Sequence, residues 1–547
     1  MGPLYPSSRP SRAASVLQLR HRPKLQLFSW NVTGSDARCS PPRGVSADDR
    51  PRRLVGGDTP PLCLPSHDRR ETGLVQRALG GGDPDFTAVD VYVERQMKEA
   101  HIPGLALGIV HDGRPVHLRG FGRADDSGRA FTPQTPFFIG SNSKSFTALA
   151  VMQLVEAGKV DLDAPVQRYI PWFRVADPEA SMVISVRQLL NQTSGLTEGA
   201  GRSATLAAGM QPLETAVRAL ATTRLARPPG TAFEYSNLNY TTLGLVVEMA
   251  AGEPFAAYLK THVFEPLEMH HTFTSTDEAK RDGLASGYRY WFGYPVAFDS
   301  PGHGSTVPTG GIISTAEDMS RYLAMYQGGG RYHGQVVLSP AGIAEMMQPG
   351  PLAARGAVAG AGYGMGWFIG PWGGVDASYH FGDEPNAHAG MAVVPRGNWG
   401  VVVLFNVGTH GGALPGLLAI EQSATGMVAG GAVRGTGIGA FYAAFDAVVA
   451  AALATQGWSL ARLARRHDLG APAALGALPL LWEFGLPAAI AVVPMAAFKV
   501  NWKGLFLYGP DMSWALVGIG GLSALTGLLR VIKGHSPSSS VPARTAS

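Results

Sequence analysis

The chain has 547 residues, 70 of them Gly and 40 Pro; 45% are hydrophobic and 16% charged, and the mean hydropathy lies just above zero. A wholly disordered chain would be poorer in apolar residues and richer in charge, and the glycines keep no three-residue period, which excludes a collagen. The net charge of +4 is local: residues 1–80 hold 13 Lys and Arg against 6 Asp and Glu, and the remainder holds 32 against 35. No basic stripe with interleaved aromatics is present, so nucleic acid is set aside as a partner.

Residues 1–81 read as a basic, disordered tail of Ser/Pro/Arg and Gly clusters. Its one apolar stretch, Ala14–Leu19, is cut short by Arg20 and Arg22, so no signal-peptide core is visible. Both cysteines, Cys39 and Cys63, lie in this tail, which excludes a disulfide framework or a catalytic thiol in the body of the chain. Asn31-Val-Thr33 is read as a chance sequon.

From Asp85 the pattern changes. Phe86, Val89, Val91, Val93 and Met97 lead an amphipathic stretch, and Leu105–Val110 and Val116–Phe121 flank His111-Asp-Gly-Arg-Pro, which predicts a β-hairpin. Ser143 to Ala157 is helical in pattern. Residues 160–350 alternate helical segments with Gly/Pro loops. Strands are expected at Tyr363–Ile369, Met391–Pro395 and Val401–Asn406, the last two joined by a turn at Arg396-Gly-Asn-Trp. Helices in the middle and an antiparallel sheet drawn from both ends give an α+β domain over 82–428.

Three apolar runs follow at 435–455, 473–498 and 512–532; the first two are interrupted only by Asp446 and Glu483, and the third is free of charge from Met512 to Leu529. Each is long enough at 1.5 Å per residue to cross a hydrocarbon core of about 30 Å, which predicts a three-helix transmembrane bundle before a disordered tail at 533–547. Arg462, Arg465 and Arg466 in the first loop, and Arg530 and Lys533 at the end, place those segments in the cytoplasm. The domain 82–428 is then extracytoplasmic, at odds with the missing signal peptide. Asp446 and Glu483 are expected to face the bundle interior, as partners in helix association or in passing protons.

The chemistry centres on Phe138-Ile-Gly-Ser141-Asn-Ser-Lys144. Ser and Lys three residues apart at a helix start share one face, so Lys144 can reach the Ser141 hydroxyl. Helix-start amides and burial would lower the lysine pKa and make it a proton acceptor. Further on, Tyr235-Ser-Asn237 offers a phenol for proton transfer and an amide for a substrate. His380-Phe-Gly382-Asp383 fits a strand edge on which substrate lies, with Gly allowing close approach. Alone each pattern is weak; in this order they reinforce one another. Other signals fail. No G-x-S-x-G elbow is present, adjacent His270 and His271 suit no shared metal, and Gly435-Thr-Gly-Ile-Gly lacks a nucleotide-binding context.

Together these motifs resemble the serine β-lactamase and penicillin-binding-protein superfamily, in its class C β-lactamase-like branch. Leu189-Leu-Asn-Gln-Thr-Ser-Gly-Leu196, Pro308-Thr-Gly-Gly-Ile-Ile-Ser-Thr-Ala-Glu-Asp318 and Tyr363-Gly-Met-Gly-Trp367 fit the same branch. The resemblance implies Ser141 as acylated nucleophile, Lys144 and Tyr235 sharing proton transfers, and Asn237 binding the substrate amide and helping to hold Lys144. It places His380 and Gly382 on the substrate strand, with the backbone N–H groups of Ser141 and Asp383 as oxyanion hole. It implies no metal and no cofactor. His380 and Phe381 depart from the family's Lys-Thr-Gly, which favours an ester or a D-amino-acid peptide of cell-wall origin over efficient β-lactam hydrolysis. Gln192, where many relatives have His, has no reading. The chain is thus expected to be a serine hydrolase tethered to the bacterial cytoplasmic membrane, acting on a small molecule or peptide. Two alternatives stand: an inactive penicillin-binding-like sensor of wall fragments, and a transport or assembly protein acting through its helix bundle.

Overall fold

The hairpin expected around His111 forms as β1 (Gly104–His111) and β2 (Arg114–Gly122), and Asp112 and Gly113 turn it at φ of 49° and 73°. The computed structural model describes residues 85–208, 211–300, 306–352, 360–408, 414–465, 477–498 and 502–534. The tail expected at 1–81, with Cys39, Cys63 and the Asn31 sequon, lies outside the described residues, as does 535–547.

In chain order the strands continue as β3 (Phe137–Phe138), β4 (Tyr288–Trp291), β5 (Tyr294–Ala297), β6 (Ile313–Ser314), β7 (Arg331–Tyr332) and β8 (Gln335–Val336). The C-terminal group is β9 (Gly362–Tyr363), β10 (Phe368–Trp372), β11 (Val375–Glu384), β12 (Ala387–Val394), β13 (Trp399–Phe405) and β14 (Val407–Gly408). Seven form one antiparallel sheet in the order β2-β1-β13-β12-β11-β10-β9, so the N-terminal hairpin closes against a meander made almost 300 residues later. The strand expected at Tyr363–Ile369 is two: Gly366, at φ 80°, turns the chain between β9 and β10. β12 and β13 begin earlier than expected, at Ala387 and Trp399.

β12 and β13 are buried at every position because both faces of the sheet are covered. Ala106 and Val110 of β1, with Val402 and Leu404 of β13, face a core built on the buried helix Ser143–Glu156. Leu105, Leu107, Ile109, Val401 and Val403 face a second core under the helices Thr87–Glu99 and Leu414–Ala429. The molecule is therefore α+β with helices on both sides of an antiparallel sheet, and the site lies where the first core meets the end of β11.

Among the described residues two helices are long and apolar enough to cross a membrane, Ile438–Arg465 and Pro510–Lys533. By length and composition these two are candidates for the expected bundle. The middle run folds as Ala477–Phe498 but carries Pro487 and Pro494 inside the helix, and its described apolar stretch is Trp482–Met495. The first helix starts later and runs a further ten residues past Thr455. Val448, Trp458, Trp482, Val492, Val493, Leu528 and Ile532 are all exposed, the kind of apolar surface that marks contact with lipid or a partner. Glu483 forms a two-pronged pair with Arg530, Nε to Oε2 at 2.9 Å and Nη2 to Oε1 at 2.7 Å, which links the helices Ala477–Phe498 and Pro510–Gly534.

Candidate active site

Ser141 lies in a single tight turn, Gly140–Asn142, that feeds directly into the helix Ser143–Glu156. The turn is fixed from within: the Ser143 hydroxyl donates to the Gly140 carbonyl at 2.8 Å, and Asn142 Nδ2 donates to the carbonyls of Ile139 and Ala389 at 2.8 and 3.1 Å. Ser141 itself stays partly open to solvent while Lys144, one turn on, is fully buried.

Lys144 Nζ donates to Ser141 Oγ at 3.0 Å and to the Thr309 carbonyl at 2.7 Å. Burial pulls its pKa down to about 7, against an opposing pull from Glu384. Thr309 comes from the Pro308–Asp318 motif, which also takes a hydrogen bond from Thr147 Oγ1 to the Pro308 carbonyl at 2.8 Å. That motif is a cradle for the nucleophile helix, and its carbonyl occupies the place expected of Asn237 in holding Lys144.

The Tyr235 ring stands 4.9 Å from Lys144 Nζ. Loss of solvent drives its pKa well up, while hydrogen bonding with Ser141 works the other way. It is a neutral phenol near pH 7, suited to relaying a proton rather than acting as a phenolate base. Asn237 starts the helix Asn237–Ala251; its Nδ2 donates to Thr205 Oγ1 at 3.0 Å, and its buried Oδ1 has no hydrogen-bond partner. A buried amide oxygen without a donor is costly unless something supplies one.

Gln192 explains how the Tyr235 loop is held. Its backbone carbonyl accepts from Glu234 N at 2.9 Å, and its side-chain Oε1 accepts from Ser236 N at 2.9 Å and Asn239 Nδ2 at 2.5 Å. One residue thus clamps both neighbours of Tyr235. The Leu189–Leu196 segment was visible as a motif, but a clamp between distant loops leaves no local signal.

β10 pairs with β11 only as far as Tyr379, so His380–Glu384 runs past it toward the nucleophile turn. A Cβ at Gly382 would sit 2.5 Å from the Ser141 nitrogen, and one at Gly140, itself at φ 52°, would sit 2.9 Å from the Asp383 nitrogen. Only glycine lets the two backbones meet this closely, and the meeting brings the Ser141 and Asp383 amides side by side. His380 is buried; burial, reinforced by Lys144, lowers its pKa to about 3, so it is neutral. Its Nε2 lies 3.4 Å from the Tyr363 hydroxyl.

Two acidic groups on this strand were not anticipated from sequence. Glu384 shares the face of His380 and Gly382; burial raises its pKa to about 8, and the Lys144 charge opposes that rise. Asp383 points to the other face, where His388 Nδ1 lies 2.6 Å from its Oδ1, and His388 Nε2 lies 2.9 Å from Glu421 Oε1. Burial resists a charge on His388, but Glu421 and Asp383 outweigh it and raise the pKa to about 10. At the rim Arg202, paired with Glu198 at 2.7 Å, lies within electrostatic reach of Tyr235.

The fold and the Ser141–Lys144–Tyr235 grouping define a protein of the serine β-lactamase and penicillin-binding-protein superfamily. The family model described as Beta-lactamase matches residues 89–421, and the chain belongs to that family. Protein flp of Staphylococcus aureus (strain MW2) is 27% identical over 324 residues, 59% of this chain and 63% of that protein, so the match spans less than two thirds of this relative. Penicillin-binding protein 4 of Amycolatopsis lactamdurans is 33% identical over 322 residues, 57% of this chain and 82% of its own. The octameric penicillin-binding protein homologue from Pyrococcus abyssi superposes with a TM-score of 0.56 at 26% identity, covering 64% of this chain and 78% of that one. EstCE1, a hydrolase with promiscuous acyltransferase activity, shares the fold at a TM-score of 0.54 and 24% identity, over 62% of this chain and 97% of its own.

Proposed function

We propose that the chain is a membrane-tethered serine hydrolase that cleaves an ester or amide through an acyl-Ser141 intermediate. The observation that carries this is the buried Lys144 amine, 3.0 Å from Ser141 Oγ with a pKa near 7. A lysine so placed is substantially neutral at physiological pH and can accept the serine proton.

In this scheme Oγ bonds to the substrate carbonyl carbon as its proton passes to Lys144 Nζ. The oxyanion is received by the backbone N–H groups of Ser141 and Asp383, an arrangement worth a few kcal/mol of transition-state stabilisation. Collapse breaks the bond to the leaving oxygen or nitrogen, which takes up the proton through Lys144 and the Tyr235 phenol. Water then adds to the acyl carbon, gives its proton back along the same route, and releases acid and free Ser141. Asn237 Oδ1 accepts a substrate N–H or O–H, and Gly382 gives substrate access to the strand edge beside His380. No metal or cofactor enters the scheme.

Neutral His380 brings no positive charge to a substrate carboxylate. That favours esters, and amides without a free carboxylate at this position, over penicillins as substrates. The tether is the helix set after residue 438, with the catalytic domain outside the cytoplasmic membrane of a bacterium. Three crossings are supported by the ends they bring together: Lys533 Nζ donates to the carbonyls of Leu463 and Ala464 at 2.7 and 3.0 Å, which pairs the two basic ends expected on the cytoplasmic side.

The test is labelling of the full chain in detergent by a fluorophosphonate and by a fluorescent penicillin, with adduct mass as readout and Ser141→Ala as control. A fluorophosphonate adduct on Ser141 without a penicillin adduct is the expected result. Labelling by both would restore penicillin recognition. Labelling by neither, on folded protein, would overturn the enzyme in favour of the sensor.

A further inference from the structure

The segment between the second and third apolar helices does not hang free. It forms the short helix Trp502–Tyr508, in which Gly504 and Leu505 are buried. Arg289 of β4 donates from Nη1 to the carbonyls of Phe506 and Leu507 at 3.3 and 3.2 Å, and the Phe292 backbone N–H donates to Asp511 Oδ2 at 3.1 Å. β4 in turn pairs with β14, and β14 lies hard against the end of the catalytic strand: a Cβ at Gly408 would sit 2.3 Å from the Glu384 carbonyl oxygen. The Glu384 carboxylate reaches back to the Thr309-Gly310 cradle of Lys144, 2.9 Å from where a Gly310 Cβ would stand. A continuous run of contacts therefore joins the membrane connector to the catalytic lysine. Tyr508, next to the two anchored carbonyls, feels the charges of Glu384, Arg202 and Asp383.

The aromatic residues around this junction mark a water–lipid boundary. Phe292 stacks on Phe445 at 6.1 Å, Tyr290 meets Tyr442 at 5.4 Å, and Phe506 meets Trp514 at 5.2 Å. Tyr442 and Phe445 open the first long apolar helix and Trp514 the last, while Tyr294 and Trp514 are 63% and 56% exposed. Aromatic belts sit at headgroup level, so this end of both helices, and the site wall attached to it, lies at the bilayer surface.

From this we infer that the site opens onto the membrane interface and that its substrate is an amphiphile, an ester or amide whose hydrocarbon chain stays among the lipids while its carbonyl reaches Ser141 past Tyr508. The inference rests on the serine hydrolase reading above. It makes Tyr508 a specificity-determining residue contributed by the connector.

The experiment uses the full chain in phospholipid nanodiscs and two fluorophosphonates, one with an ethyl and one with a hexadecyl chain. In each, Ser141 Oγ bonds to phosphorus as the P–F bond breaks, fluoride leaves and the hydroxyl proton passes to Lys144. The hexadecyl probe should label Ser141 at least about tenfold faster, the equivalent of burying two methylenes or so. Tyr508→Ala and Arg289→Ala should each shrink that ratio several-fold, and Tyr508→Phe should keep it. Partitioning of the probe into the bilayer is common to all variants, so the change in ratio isolates the connector. A ratio that neither Tyr508→Ala nor Arg289→Ala alters, or equal rates in the unaltered chain, overturns the amphiphile inference and leaves the serine hydrolase standing. Failure of both probes to label Ser141 on folded protein overturns both.

Discussion

The His388 ring and the Asp383 carboxylate meet at 2.6 Å across neighbouring strands, directly behind the Asp383 backbone N–H that faces Ser141. With Glu421 on the far side at 2.9 Å, the imidazolium is held between two carboxylates in a fully buried position. The side chain of one residue is thus locked on one face of β11 while its backbone, at the strand edge, lies against the Ser141 turn.

Replacing His388 by Gln should therefore do two separable things. Two buried carboxylates lose their counter-charge, a change that costs about 3–5 kcal/mol for a buried pair, read as a drop in urea or thermal midpoint. In the folded fraction the rate of Ser141 acylation should fall with little change in KM, because the amide acts on the transition state. With a folded pKa near 10, raised above its unfolded value near 6.5, this histidine contributes fully below pH 6.5. Its contribution declines as pH rises toward 10. A midpoint insensitive to that pH range would contradict the triad.

The acylation rate should rise with pH through about 7, as Lys144 loses its proton. Glu384 holds the Lys144 pKa up, so Glu384→Gln should move that acid limb to lower pH. A limb that stays put, followed by fluorophosphonate labelling across pH 5–9, would separate Glu384 from the proton-accepting group.

Gln192→Ala should loosen the Tyr235 loop. It removes the acceptor for Ser236 N and Asn239 Nδ2, at about 1–3 kcal/mol for a buried donor left unpaired. Gln192 also sits at φ 59°, a conformation glycine adopts without strain. If Gln192→Gly is as impaired in acylation as Gln192→Ala, the hydrogen bonds matter and the backbone strain does not; recovery in the glycine variant would reverse that assignment.

In the helix set, Glu483→Gln should destabilise the packing of Ala477–Phe498 on Pro510–Gly534 by stranding Arg530, measured as a lower detergent melting midpoint. Exchanging the two, Glu483→Arg with Arg530→Glu, should recover most of the loss. Neither change should abolish Ser141 labelling; its loss in a well-folded variant would return the bundle to a direct functional role.

Local chemistry made much of this legible in advance. Ser141 and Lys144 share a helix face because three residues nearly complete a turn, and the hairpin at Asp112-Gly113 follows from glycine's access to positive φ. The long apolar runs declare themselves by length and composition alone. What the sequence could not carry is whatever depends on contacts between distant segments. The buried Lys144 amine is enclosed by groups remote in sequence, the Tyr235 and Tyr240 rings among them, and Thr309, 165 residues away, holds it rather than Asn237. Gln192 clamps Tyr235 across more than forty residues. Asp383, His388 and Glu421 meet only because β11 pairs with β12 and the helix Leu414–Ala429 packs on the face of that sheet, and the connector helix is held to β4 through Arg289. Periodicity and turn chemistry act within a few residues, so the sequence by itself determined most of the elements and the pairing of Ser141 with Lys144. Desolvation and charge pairing act through space, and the tertiary structure alone decided which groups are neutral and which are clamped.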